Sequence, residues 1–306
     1  MTQMPSGQTA VENRRDPYEL LEIFASAQDL PTLPEVVFRL QQMIDDPKSS
    51  AKDVAKLLDE DPAITTRILK MVNSVFYSPS RGHEITQLQP AIARLGFVTV
   101  ANIALSTSVF GAFSASENPV FNRREFWRHS ICVGVVASLL YDHVANEINQ
   151  RITRDVVHLA GIVHDMGKVL FERYANKEFH MAINSAITED IPVLREECRF
   201  IGMGHDEAGA WLGNRWKLGE EITAVVRWHH EPLNCPDMEL QPLVKLIHMA
   251  DYICHNQHLG ESGNPAPSYN KQVREELKLT PEKISDLMSD VKQEVAKSEV
   301  LLSLAG

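Results

Sequence analysis

The stretch Gly161-Ile162-Val163-His164-Asp165-Met166-Gly167-Lys168 places a histidine and an aspartate side by side within an apolar segment. Neighbouring side chains on a helix lie about 100° apart, so His164 and Asp165 can approach one metal ion from adjacent directions. Lys168 follows His164 by four residues and would share its helix face, where it can meet a bound anion. An isolated pair of this kind is weak evidence, so further ligands must come from elsewhere in the chain.

Histidines are concentrated in the second half of the chain. Eleven of the twelve lie between His129 and His258, a window of fewer than half the residues. Asp165 and Asp251 both stand in apolar runs, and a buried carboxylate must be paired or bound to a metal. The candidate metal ligands are His129, His164, Asp165, His205, His229, His230 and Asp251.

Taken singly, each histidine has a simpler interpretation. His129 begins an apolar helix and can be structural, and His205 follows Gly204 and can begin another helix. His229 and His230 end an apolar segment, where the helix dipole favours a histidine. A shared metal site accounts for all of them together. Imidazole and carboxylate ligands suit iron, manganese or zinc better than calcium or magnesium, and the sequence leaves these three open.

Short apolar-periodic segments with brief connections predict an all-α helical bundle, since no convincing strand alternation is present. Ser50-Ala51-Lys52-Asp53 is typical of a capping box, and Asp61-Pro62 indicates the start of the next helix. Gly96 ends a helix that contains Leu88 and Ile92, and a long apolar helix from Val98 to about Phe110 follows.

The segments Ser50–Leu58 and Ala63–Val72 have two interpretations. They can form a helix-turn-helix that presents Arg67 and Lys70, with Thr65 and Thr66, to a DNA groove. Alternatively, they are an antiparallel helix pair within the bundle. The acidic residues Asp59 to Asp61 and a formal net charge of -11 oppose phosphate binding. We therefore predict bundle packing and no specific DNA binding.

Four ordered motifs in the first half resemble the HDOD domain, a family of bacterial signalling output modules related to HD-domain phosphohydrolases. The motifs are Leu30-Pro31-Thr32-Leu33-Pro34, Leu57 through Asp61-Pro62-Ala63, Asn73-Ser74-Val75-Phe76-Tyr77 and Ala91-Ile92-Ala93-Arg94-Leu95-Gly96. The resemblance runs from about Leu30 to about His258. It implies an all-α regulatory domain in which catalysis is often absent.

The ligand candidates resemble the metal set of the HD superfamily, and above all its HD-GYP branch of cyclic-di-GMP phosphodiesterases. His164-Asp165-Met166-Gly167-Lys168 matches the His-Asp-x-Gly-Lys pattern of that branch. The resemblance implies two divalent ions bridged by Asp165, with Lys168 on a substrate phosphate. The chain departs from the pattern after His229-His230, where Glu231-Pro232-Leu233-Asn234 replaces the Gly-Tyr-Pro loop. Because of this departure, the resemblance does not establish that this chain has the substrate and partner surface of that branch.

A third ion is a further expectation. Glu125 precedes His129 by four residues and Cys254 follows Asp251 by three, so each shares a face with a candidate ligand. In trinuclear sites of HD-GYP type, acidic residues occupy these two positions. Because a thiol is a softer ligand, mostly protonated at neutral pH, we predict two strongly bound ions and a third that is weak or absent. The alternative is a surface ion pair for Glu125, with Arg124 or Arg128, and a core position for Cys254.

The sequence divides into a lead-in with a short helix (1–29), an N-terminal helical lobe (30–115), a metal-site lobe (116–259) and a linker with a C-terminal helix (260–306). Gly260 to Ser268 is polar and broken by glycine and proline, which is typical of a linker or surface loop. Thr280-Pro281 begins the last helix. That helix either packs on the body of the protein or provides a contact for a partner.

Two classes of function remain open. The first is a non-enzymatic signalling module that binds metal or a phosphate ligand and acts on a protein partner. The second is a metal-dependent phosphodiesterase or phosphohydrolase acting on a cyclic dinucleotide or another phosphoester. The four cysteines show no paired spacing, and neither a signal peptide nor a membrane span is apparent. We therefore expect a cytoplasmic protein without membrane attachment.

Overall fold

The computed structural model describes residues 17–27, 30, 33–44, 46, 48–73, 84–112, 120–144 and 152–297. In these ranges the chain forms sixteen α-helices and one 3₁₀ helix, and no strand. The prediction of an all-α fold is confirmed. Most of the predicted lead-in, parts of the first and third quoted motifs and the boundary at residue 115 lie outside the described residues.

Six of the described helices lie before residue 113, the first of them in the predicted lead-in. They are α1 (Pro17–Ser26), α2 (Glu35–Ile44), α3 (Ala51–Leu58), α4 (Pro62–Val72), α5 (Leu88–Leu95) and α6 (Phe97–Ala112). Their ends follow local signals. Ser50 Oγ accepts from the Asp53 backbone N at 3.3 Å, while Asp53 Oδ2 accepts from the Ser50 backbone N at 3.2 Å. This is the predicted capping box. Asp61 caps α4 through the backbone N atoms of Ala63 and Ile64.

Helix α6 is the common wall of the two lobes. It contacts α2, α4 and α5 of the N-terminal lobe and α8 (Arg154–Val163) of the C-terminal lobe. Val100, Ala104 and Val109 are completely buried. Gly96 separates α5 from α6 with φ +85°, a left-handed conformation that glycine adopts without strain.

The polar side chains proposed for a DNA-reading face point into the bundle at two positions. Thr65 Oγ1 donates to the Leu58 carbonyl at 2.8 Å, and Arg67 donates to the Thr107 carbonyl of α6 at 3.2 Å. The guanidinium of Arg67 also lies against Gly111. The Arg67 contact holds α4 against α6, which matches packing within the bundle. The absence of specific DNA binding stays a prediction.

The C-terminal lobe begins with a long helix, α7 (Arg123–Val144), followed by α8. The chain continues through α9 (Gly167–Tyr174), α10 (Asn176–Glu189), α11 (Val193–Phe200), α12 (His205–Arg215), α13 (Glu220–Trp228), a 3₁₀ helix (Pro232–Asn234) and α14 (Gln241–Asn256). Helices α7 and α8 meet at Gly134 and Gly161. A Cβ atom on Gly161 would lie 2.6 Å from the Gly134 Cα, so this crossing requires glycine.

The segment after His258 is a loop, as predicted, but it packs on the body of the protein rather than acting as a free linker. The Glu261 backbone N donates to the Glu125 carbonyl at 3.1 Å, and Asn264 Oδ1 accepts from the Val193 backbone N at 3.1 Å. Helix α15 (Lys271–Glu276), which the sequence did not predict, precedes α16 (Pro281–Lys297). Thr280 Oγ1 caps α16 as predicted, and the helix packs on α7 through its buried Leu287 and Val291.

Within the described ranges, no helix by itself has both the length and the apolar character of a membrane span. Helices α5 and α6 reach those values only when taken as a pair, and that pair is bent by 115° at Gly96.

Candidate metal centre

His164 and Asp165 lie in a tight turn between two helices. Helix α8 ends at Val163 and α9 begins at Gly167, so the expectation of one continuous helix through the pair is wrong. The backbone N of Met166 donates to the Val163 carbonyl, and that of Lys168 to the Asp165 carbonyl, both at 3.0 Å. The start of α12 lies against this turn. A Cβ atom on Gly167 would be 1.9 Å from the His205 carbonyl oxygen.

One group of metal-binding side chains consists of Asp165, His205, His229 and His230, whose ligand atoms all lie within 4.8 Å of one another. Asp165 Oδ1 is 3.0 Å from His205 Nε2 and 3.5 Å from His229 Nε2. His230 Nε2 is 2.8 Å from His205 Nε2. The start of α12 and the end of α13 therefore meet the α8–α9 turn at one point.

A second group consists of His129, His164 and Asp165, and Asp251 lies beside it. Asp251 Oδ1 is 2.9 Å from His129 Nε2 and 3.8 Å from His164 Nε2. Asp165 Oδ2 is 3.4 Å from His164 Nε2. The structure thus brings together all seven ligands predicted from the sequence. Asp165 belongs to both groups, which is the position that a bridging carboxylate would need.

The donor set fits divalent transition-metal ions. His164 Nε2, Asp165 Oδ1 and His229 Nε2 are buried and have no hydrogen-bond partner among the described residues. Buried polar atoms of this kind are costly unless something binds them. Nitrogen and carboxylate oxygen ligands are those that iron, manganese and zinc accept. Side chains of the type that could hold a metal ion therefore converge at this point.

The other ring nitrogen of each central histidine is held by a separate contact. His164 Nδ1 donates to the Gly161 carbonyl at 2.8 Å, and His229 Nδ1 donates to the Val226 carbonyl at 3.0 Å. His205 Nδ1 lies 2.5 Å from Glu197 Oε2. Contacts of this kind fix the tautomer and ring orientation of metal-binding histidines, so the Nε2 atoms are left to face the cluster.

Two members of this arrangement were missed in the sequence. Glu197 is completely buried, and besides the His205 ring it accepts from the His205 backbone N at 3.0 Å. His248 Nδ1 donates to the His229 carbonyl at 2.7 Å. Glu197 stands in the run Arg195-Glu196-Glu197, which is typical of a solvated helix face. Glu197 lies on α11 and His205 begins α12, so no spacing within one helix could predict their contact.

The cluster shifts the pKa values of its members in opposite directions. Burial would lower the pKa of His205, but the Glu197 carboxylate raises it to about 9. Burial and the adjacent imidazoles hold the pKa of His230 well below its ordinary value. Burial would raise the pKa of Asp165, yet the charges of Lys168 and the neighbouring histidines lower it well below its ordinary value. Asp165 is therefore a carboxylate, and His230 is neutral and able to bind a metal.

Lys168 does not face outward. Its side chain is 1% exposed, and its Nζ is 2.6 Å from Asp165 Oδ2. The ammonium therefore neutralises the shared carboxylate in this arrangement, whereas the family resemblance implied contact with a substrate phosphate. The catalytic roles assigned to Asp165 and Lys168 stay predictions.

The structure does not place Glu125 or Cys254 in either group of candidate ligands. Glu125 Oε1 lies 3.9 Å from Arg128 Nη1. Cys254 is completely buried, and burial together with the nearby Cys132 raises the pKa of its thiol well above the usual value. These positions match the simpler interpretation of an ion pair and a core cysteine. The number of bound ions stays a prediction.

Comparison with protein families matches residues 30–232 to the HDOD domain. Because the match covers more than half of the sequence, the chain belongs to the HDOD domain family. The predicted resemblance is confirmed, although the match ends before Asp251 and the segment that packs over α7.

Comparisons with individual proteins agree with this assignment. A crystal structure of an HDOD domain protein of unknown function from Geobacter sulfurreducens is 26% identical, covers 92% of this chain and 96% of its own, and has a TM-score of 0.76. A structure named as a candidate phosphohydrolase from Shewanella amazonensis SB2B is 19% identical, with coverage of 94% and 98% and a TM-score of 0.72. The second similarity shows the fold alone.

An uncharacterized protein of Treponema pallidum (strain Nichols) is 25% identical over 224 residues. The alignment covers 73% of this chain and 42% of that protein. The chain thus spans less than half the length of this curated relative.

Proposed function

We propose that this HDOD chain is a signal-transduction output module whose HD-type centre binds two divalent transition-metal ions. In this proposal the module passes a ligand- or partner-dependent state to a protein partner. The ions would be held by His129, His164 and Asp251 on one side and by His205, His229 and His230 on the other. Asp165 would be shared between them. Bound ions would supply positive charge that offsets the two carboxylates in the cluster.

The proposed centre suits a conformational module because its ligands come from widely separated elements. His129 lies on α7, His205 begins α12 and Asp251 lies on α14, while the remaining ligands follow α8 and α13. Anything that binds to or leaves the cluster would change the attraction between side chains from five parts of the chain, two of them within helices α7 and α14 and three at helix ends. A ligand can shift an equilibrium only by its differential affinity for two states, and contacts to five helices provide such a difference.

The observation that favours a module over an enzyme is the position of Lys168. Its ammonium is bound to Asp165 and buried, so the cation expected on a substrate phosphate is already engaged. Pro232, in the segment that replaces the Gly-Tyr-Pro loop, is also buried. Neither feature presents a phosphate-binding surface.

Metal analysis combined with hydrogen exchange tests the module. We expect about two ions of iron, manganese or zinc per chain, and metal removal should increase amide exchange at the ends of α7, α8 and α13 more than in α3 and α4. Protein that is isolated without metal and takes up none of the three would contradict the proposal. If metal removal changed amide exchange equally in both lobes, the protein would bind metal but the proposed signalling role would be contradicted.

A metal-dependent phosphohydrolase is the second candidate. It is favoured by Asp165, which lies in both ligand groups, and by Asp251 beside the second group, whose side chain is 15% exposed. Two-metal sites activate water and stabilise the leaving oxygen of phosphoesters. Assays on cyclic dinucleotides and simple phosphodiesters distinguish the candidates. Metal-dependent hydrolysis that His230→Ala abolishes, without loss of folding, would favour the enzyme.

A further inference from the structure

The chain crosses from helix α14 to helix α7 in residues 258–265, a segment that lies outside the region matched to the HDOD domain. The backbone N of Leu259 donates to the Cys254 carbonyl at 3.0 Å, and His258 has a φ of +53°. A closing bond of this kind around a left-handed residue is a common end of a helix. It turns the chain away from the axis of α14, and the following residue, Gly260, meets α7.

Gly260 lies directly against the backbone of α7 at His129. A Cβ atom on Gly260 would lie 2.6 Å from the Glu125 carbonyl oxygen and closer still to the His129 backbone N. The next residue, Glu261, donates its backbone N to the same carbonyl at 3.1 Å. Glu125 precedes His129 by four residues, so this carbonyl is also the helical partner of the His129 backbone N. Because the contact is between backbone atoms, a shift of the segment would move the His129 backbone with it.

The segment joins the two helices whose candidate ligands face each other. His129 Nε2 on α7 is 2.9 Å from Asp251 Oδ1 on α14, and Gly260 follows Asp251 by only nine residues. At the other end of the segment, the buried Asn264 accepts from the backbone N of Val193, the first residue of α11. The segment is therefore fixed to α14 by the chain, to α7 by backbone contact and to α11 by a buried hydrogen bond.

We propose that Gly260 is a positioning residue for the candidate metal centre, and that the 258–265 segment holds His129 next to Asp251 for the binding of one metal ion. The ion on the His205 side of the centre does not depend on this contact. The proposal rests on the proposed metal centre and adds a route by which the C-terminal part of the chain acts on it. Coupling between two sites is reciprocal, so metal binding also strengthens the docking of the segment on α7.

Titration calorimetry of the metal-free full chain with Zn²⁺ tests the proposal. Gly260→Ala adds a Cβ atom against α7, and we expect it to weaken one of two binding steps about tenfold or more, as changes to groups that orient metal ligands typically do. His129→Gln should abolish the same step. Gly263→Ala is the matched control, because the φ of Gly263 is +75° and that of Gly260 is +78°. The added Cβ atom of Gly263→Ala would lie 3.5 Å from Ile183, an ordinary contact distance, so both steps should stay unchanged.

A second pair of variants covers the case in which Gly260→Ala does not fold. Asn264→Ala removes the acceptor that anchors the segment to Val193 and adds no atom at α7. It should weaken the same Zn²⁺ step, by less than Gly260→Ala does. Asn256→Ala removes an exposed asparagine of α14, whose Nδ2 donates to the Tyr252 carbonyl, and should change neither step. Circular dichroism melts show which variants are folded.

A measurement without metal separates this proposal from the proposed function. The nitrogen NMR shifts of the His129 ring report on its contact with Asp251, and Gly260→Ala should change them more than Gly263→Ala does. Equal ring shifts in these two variants, or equal Zn²⁺ affinities, would overturn the positioning role. If the unmodified chain binds no Zn²⁺, the proposed metal centre is contradicted, and the ring shifts alone decide whether Gly260 positions His129.

Discussion

The two lobes bury different chemistry in cores of similar helical construction. Among the described residues, the buried polar side chains before residue 113 are Ser106, Thr107 and Ser108. Their hydroxyls donate to carbonyls of their own helix α6. From Arg123 onward the buried set includes histidines, carboxylates and lysines. A hydroxyl can be satisfied by its own helix, whereas an imidazole or carboxylate needs partners from other elements. Buried ionisable groups therefore mark the lobe with the candidate site.

Among substitutions in the two lobes, replacing the shared carboxylate Asp165 should have the largest effect on metal content and on the free energy of unfolding. Asp165→Asn removes the charge that pairs with Lys168 and replaces one of the two carboxylate oxygens, which face the two ligand groups, with an amide nitrogen. We expect the metal content to fall close to zero. Leaving a buried charge unpaired should lower the free energy of unfolding by about 3–5 kcal/mol. Elemental analysis and denaturant unfolding measure the two effects.

Asp61→Asn is the matched control for this change. Asp61 caps α4 in the N-terminal lobe, and asparagine caps a helix about as well as aspartate. Metal content and stability should both stay close to those of the unmodified protein. Full metal occupancy in Asp165→Asn would contradict the assignment of Asp165 as the shared ligand.

The pH dependence of stability should arise partly from His158. Burial lowers the pKa of His158 from 6.5 to about 4, so the unfolded chain binds its proton more readily. The contribution of His158 to the free energy of unfolding is complete above pH 6.5 and is lost as the pH falls toward 4. It amounts to about 3 kcal/mol. Urea unfolding of the unmodified protein and of His158→Gln at several pH values measures it, and parallel curves would refute the assignment.

Replacing Glu197 should lower the metal affinity while the protein stays folded. Glu197→Gln removes the charge that orients and polarises His205, and loss of such a partner typically costs 10–100-fold in metal affinity. Glu196→Gln is the neighbouring control, because Glu196 bonds to Ser185 and Arg199 instead. Competition with a metal-sensitive dye compares the two variants. Equal affinities would show that Glu197 does not act through His205.

The smallest expected effect lies in the N-terminal lobe. Ser50→Ala removes the cap of α3 and should lower the free energy of unfolding by about 1 kcal/mol. The metal content should not change, because α3 contributes no ligand to either group. Unfolding curves with parallel metal analysis provide the test. A loss of metal in this variant would show that the two lobes are less independent than their cores indicate.

Much of the fold could be predicted because its signals are local. The capping box at Ser50, the Asp61-Pro62 helix start and Gly96 each act within one turn of the chain. Apolar spacing likewise predicted α6 and α16. The expectation for residues 164–165 failed at the turn between α8 and α9, which lies against the start of α12 about 40 residues further along the sequence. Periodicity alone would continue that helix.

The sequence by itself determined which residue types form the candidate site, because histidines and aspartates in apolar segments require partners wherever they are buried. Tertiary structure decided how those residues are grouped. Only the packing of α7 against α14 brings His129 to Asp251, which is 122 residues away. Likewise, only the packing of α11 beside the start of α12 brings Glu197 to His205. Ligand identity is a property of side-chain chemistry, whereas contacts between distant segments follow from how the helices pack.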